Sequence, residues 1–126
     1  MLVVGTALVL FAALLHVLFF VGESLTWTRP RVWKRFGVAS QEHAEVLKPM
    51  AYNQGFYNLF LALGAVTGII LYFAGNRVAG VTLVSFTMGC MVLAAMVLSG
   101  GGRRYLVPAL VQGLPALLGL IFFVTA

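Results

Sequence analysis

Polar residues break this chain into four long apolar runs, at about 2–22, 49–74, 78–98 and 105–125. Each is close to or above the roughly 20 residues that carry a helix across a hydrocarbon core. The runs are continuously apolar and lack the alternation of barrel strands, so membrane-spanning helices are predicted. The first run has no basic stretch ahead of it. It also stays apolar for about 21 residues, longer than the ~7–15 of a signal-peptide core, so it reads as a retained helix. The expected fold is an all-α membrane protein, a four-transmembrane-helix bundle forming one integral membrane domain over residues 1–126.

The interruptions carry their own signals. The first, about 23–48, is the only long one. Trp27 and Trp33 read as interfacial aromatic anchors, and Pro30 stops the first helix from running on. In SQEHAEVLK, Ser40 is a candidate N-cap, with Glu42 and Glu45 near the positive helix end. This predicts a short interfacial helix in the first loop that docks on head groups or leads into the second span, with Pro49 in the first turn of that span. The second and third loops, of about four to six residues, make helices two, three and four antiparallel neighbours.

Composition confirms the class. Hydrophobic residues make up 62% and charged residues 9%, against roughly one half and one quarter in soluble domains. The charges that remain give an orientation. Arg29, Arg31, Lys34, Arg35 and Lys48 lie in the first loop and Arg103 and Arg104 in the third, whereas Arg77 alone lies in the second. By the positive-inside rule the first and third loops are cytoplasmic and both termini outside. The net charge of +5 thus suits anionic lipid head groups, and no nucleic-acid partner is expected. The single Cys90 and the absence of Asp argue against disulfides, phosphate loops and calcium loops. A zinc site built from His16, His43 and Glu23 would need the loop to fold back, so no metal and no cofactor are expected.

The remaining polar residues are few and placed at related depths. His16 lies seven residues before Glu23, two turns along one face, with Trp27 continuing it if the helix persists. Asn53, Gln54, Tyr57 and Asn58 open the second span, with Asn53 and Tyr57, and Gln54 and Asn58, each four apart. Gln112 in the fourth span falls about 10 Å in, matching His16. Such side chains are costly in hydrocarbon and normally face a bundle interior. They predict a polar pocket near the cytoplasmic face, in which His16 and Glu23 exchange a proton and Trp27, Asn53, Gln54, Tyr57, Asn58 and Gln112 bind a ligand. Interhelical hydrogen bonding is the plainer reading of the same residues. Gly64 and Gly68 form a GxxxG, which marks close helix approach within the bundle or in a homodimer.

The spacing of His16, Glu23 and Trp27, the run NQGFYNLFLALG at 53–64 and VQGLPALLGL at 111–120 resemble small bacterial membrane proteins grouped as domain of unknown function 1304. The resemblance covers nearly the whole chain. It implies a four-helix fold in the bacterial inner membrane and no particular activity. The residues themselves point to a membrane-embedded binding protein or enzyme for a small lipophilic molecule. A proton- or cation-coupled transporter or channel subunit is the second class, weakened by an outer half that is almost free of polar residues. A structural partner of another membrane protein is the third.

Overall fold

The chain opens with α1, Leu2–Phe20, which widens into one π turn at Val21–Leu25. A short α2, Pro30–Trp33, is followed by α3, Gln41–Phe73, and α4, Arg77–Ser99. A 3-10 turn at Arg103–Tyr105 then leads into α5, Leu106–Val124. The computed structural model describes every residue from Met1 to Ala126. Four of its helices are long and apolar enough to cross a membrane, which makes this a multi-pass membrane protein.

Met1–Leu15 and Leu61–Ala126 form one compact unit. Its helices approach where one partner has no side chain. A Cβ on Gly64 would lie 2.7 Å from Thr87 Cγ2, and one on Gly68 2.9 Å from Val84 Cγ2. The GxxxG therefore serves the seam between α3 and α4 within the chain. At the seam between α4 and α5, a Cβ on Gly113 would lie 2.6 Å from Ala95 Cβ. Lipid tails are as apolar as these side chains, so close packing rather than the hydrophobic effect holds such seams. Val9, Val84, Met88, Met91 and Phe123 fill the interior. The α3–α4 connection is short because α3 ends in a Schellman turn. Gly75 takes φ 100°, the Asn76 amide reaches the Leu71 carbonyl at 2.9 Å, and the Asn76 side chain then caps α4 by accepting from the Ala79 amide.

His16–Phe60 forms the other unit. Ser40 acts as the expected N-cap, its hydroxyl oxygen accepting from the His43 amide at 3.1 Å. The helix it starts is not separate, however. α3 runs unbroken through Pro49 for 33 residues, roughly 50 Å at 1.5 Å per residue. The expected short interfacial helix is the first part of the helix that carries the second span. Pro49 removes one backbone donor and disfavours helix in the residue before it, yet Ala44 and Ala51 on either side are both buried against Trp27 and Trp33. Seven residues apart, these alanines lie on one face, and packing across the proline keeps the axis continuous.

The two tryptophans are core residues of this unit and not lipid-facing anchors. Trp27 is 7% and Trp33 6% exposed. The Trp27 indole N–H donates to the Ala44 carbonyl at 2.8 Å, and that of Trp33 donates to Gln41 Oε1 at 2.9 Å. Gln41 in turn donates to the Thr28 carbonyl at 2.9 Å. A loop that must order its backbone close to a membrane thereby satisfies its polar groups internally.

Candidate functional site

Two of the expected residues, Glu23 and Asn58, meet where the π turn after α1 lies against the first half of α3. A π turn places hydrogen bonds five residues apart, and such turns are frequent at functional sites. Here the Thr26 amide reaches the Val21 carbonyl at 3.0 Å, and the Thr26 hydroxyl donates to the same oxygen at 3.1 Å. Glu23 is the middle residue of the turn. Asn58 Nδ2 donates to Glu23 Oε1 at 2.7 Å, and no lysine or arginine pairs with this half-buried carboxyl. Beside it the Ser24 hydroxyl donates to the Tyr52 carbonyl at 2.7 Å. This contact requires Gly55: a Cβ there would lie 1.9 Å from Ser24 Oγ and 3.0 Å from the Ser24 amide nitrogen. An aromatic stripe runs along the same stretch of α3. Phe20, one turn before Glu23, meets Phe56 edge-on at 5.1 Å, and Phe56 also meets Tyr52 and Phe60.

The other expected residues take different positions. His16 is 1% exposed, with its ring edge-on to Phe19 at 5.2 Å. Asn53, Gln54 and Tyr57 face outward on α3, Tyr57 being 59% exposed. Counting about 20 residues back from the end of α3 at Phe73 puts Asn53 and Gln54 at the membrane boundary, where polar side chains need no protein partner. Trp27 is tied to Ala44 as described. Gln112 is half-buried on α5 and belongs to the first unit. His43 is exposed, and no three His, Cys, Asp or Glu side chains come together.

Residues 10–124 match the family described as Protein of unknown function (DUF1304). The chain belongs to the DUF1304 family. No curated protein and no solved structure matches it. In this DUF1304 chain the NQG of residues 53–55 and the VQG of residues 111–113 share a physical role. Gly55 and Gly113 are both contact points at which a methyl group would collide with a neighbouring element. Ser24 and Gln41 were not legible as site or scaffold residues. The glycine inside NQGFYN was the available signal for Ser24, since a glycine in a membrane helix marks close approach of a neighbour. Nothing in the local pattern linked Gln41 to Trp33.

Proposed function

We propose that this DUF1304 protein binds a small lipophilic molecule at the cytoplasmic end of its spans. The polar end of the ligand meets Glu23 and Asn58, and its apolar body lies along Phe20, Phe56 and Phe60. The observation that supports this is the Glu23–Asn58 bond in a π turn. A carboxyl with one amide donor and no counter-charge keeps hydrogen-bonding capacity for a ligand, and an ionisable group at such a place is costly unless it is used. Glu23 can give or take a proton there, and the buried His16, two turns earlier on α1, is the second candidate for acid–base chemistry.

Substitution of Glu23 by Gln separates binding from packing. Gln retains an oxygen that accepts from Asn58, so thermal stability in mild detergent is expected to change by no more than about 0.6 kcal/mol, the average for hydrogen bonds between membrane helices. Occupancy by a co-purified small molecule, read by native mass spectrometry, is expected to drop several-fold because the ionisable group is gone. Equal occupancy in wild type and Glu23→Gln would reduce the pair to interhelical packing.

The same reading places both termini outside and the 23–48 and 100–104 segments inside. In a Cys90→Ser background, cysteines added at either chain end are expected to react with an impermeant thiol reagent applied from outside. Cysteines at Gly37 or Gly102 are expected to stay unlabelled. The reverse pattern would move the Glu23 end to the outer leaflet.

A further inference from the structure

An open apolar groove of about 210 Å³ runs along the seam of α4 and α5. Its walls include Val92 and Met96 on one side and Leu106, Leu110 and Leu114 on the other. Ala95, Ala109 and Gly113 form its floor, where the close contact of Gly113 with Ala95 closes the seam and the larger side chains on either side stand up as walls. From Leu106 to Leu117 the α5 wall is about 16 Å long at 1.5 Å per residue, a stretch suited to an extended hydrocarbon chain. At one end the groove reaches Ser99. The three glycines that follow, Gly100, Gly101 and Gly102, put no side chain across that end. Next come Arg103 and Arg104, both exposed. Both arginines therefore lie on the connection between two groove-lining residues, Ser99 and Leu106, and the Arg104 guanidinium lies 4.6 Å over the Tyr105 ring and donates to the Tyr105 hydroxyl. A second apolar groove is lined by Leu2, Val3, Thr6, Ala7, Leu10 and Phe73, with the single Arg77 four residues beyond Phe73.

We infer that the α4–α5 groove is a binding site for an anionic phospholipid, with one acyl chain lying in the groove over the helix seam and the phosphate on Arg103 and Arg104. Charge complementarity selects this occupant. A neutral lipid would gain the same apolar contact and nothing from the arginines, whereas basic clusters at the end of membrane helices attract anionic head groups. Arginine suits phosphate because its planar fork can donate two parallel hydrogen bonds.

The test uses the full chain in mild detergent with phosphatidylglycerol and phosphatidylcholine of identical acyl chains, retention being read by native mass spectrometry. Wild type is expected to retain phosphatidylglycerol over phosphatidylcholine by roughly tenfold or more, on the order of fivefold for each arginine. Arg103→Gln alone should lower that preference by about fivefold, and the double change with Arg104→Gln should abolish it. Helix content and melting temperature should not change, since both side chains lie outside the core. Leu110→Trp, which fills the groove, is expected to reduce retention of both lipids, whereas Leu10→Trp in the second groove should leave the phosphatidylglycerol preference intact. Equal retention of the two lipids by wild type, an unchanged preference in the double variant, or unchanged retention in Leu110→Trp would each overturn the assignment.

Discussion

Gly80→Val is expected to prevent most of the protein from reaching its folded, monodisperse state in detergent. A Cβ at this buried position would lie 2.6 Å from both Cβ and the amide nitrogen of Tyr72 and 2.7 Å from the Gly68 carbonyl oxygen. Two of these three atoms belong to the α3 backbone, which cannot turn aside as a side-chain tip can. Moving α3 away would open the neighbouring contacts of Gly68 and Gly64 with α4. The expected cost lies at or above the upper end of the ~1–3 kcal/mol usual for overpacking. Gly89→Ala is the matched comparison. It also lies in α4, but a Cβ there meets nothing within 4 Å, so the gain in helix propensity, up to about 1 kcal/mol, should leave the variant as stable as wild type or more so. Thermal melting followed by circular dichroism compares the two. Equal stability of Gly80→Val and Gly89→Ala would show that α3 and α4 are not in backbone contact.

Trp27→Ala is expected to loosen the segment between α1 and α3 while the spans themselves remain helical. The indole is buried with Trp33, Ala44 and Ala51, and its N–H is the donor to the Ala44 carbonyl. Truncating a buried aromatic of this size costs about 3–5 kcal/mol. Trp27→Phe keeps most of the volume and loses the hydrogen bond, for about 1 kcal/mol. Limited proteolysis at the basic residues from Arg29 to Arg35 measures both: rapid cleavage is expected for Trp27→Ala and slow cleavage for Trp27→Phe and wild type. If the Ala variant resisted cleavage as wild type does, the cluster would not be what holds Pro49 within an unbroken α3.

The two substitutions mark different kinds of legibility. Gly64 and Gly68 could be read as a contact motif from their spacing alone, but not the surface they meet, which proves to be α4 of the same chain. Trp27 and Trp33 were read from their place in the first loop as membrane-interface anchors, whereas both are buried in a small core. Indoles are amphipathic, and they serve an interface or a small core equally well. Which of the two occurs depends on whether a partner such as Ala44 or Gln41 folds back to accept the N–H. Likewise Pro49 and the polar run before it looked like a helix boundary, whereas contacts on both sides of the proline carry the helix through.

The sequence by itself determined the number of the spans and, apart from the start of α3, their rough limits, because a bilayer imposes a local rule. Backbone groups in hydrocarbon must be satisfied within their own segment, so about 20 apolar residues in succession can only be a helix. Ser40 was legible for a similar reason, since an N-cap acts within one turn of its own chain. The tertiary structure alone decided that α3 is continuous, that Glu23 sits in a π turn and that its partner is Asn58, 35 residues away. Sequence spacing had paired Asn58 with Gln54 on an ideal helix surface. Such pairings depend on how two helices are rotated about their axes and on where one turn widens. Close contacts like that of Gly55 with Ser24 set those quantities, and the order of polar and apolar residues does not encode them.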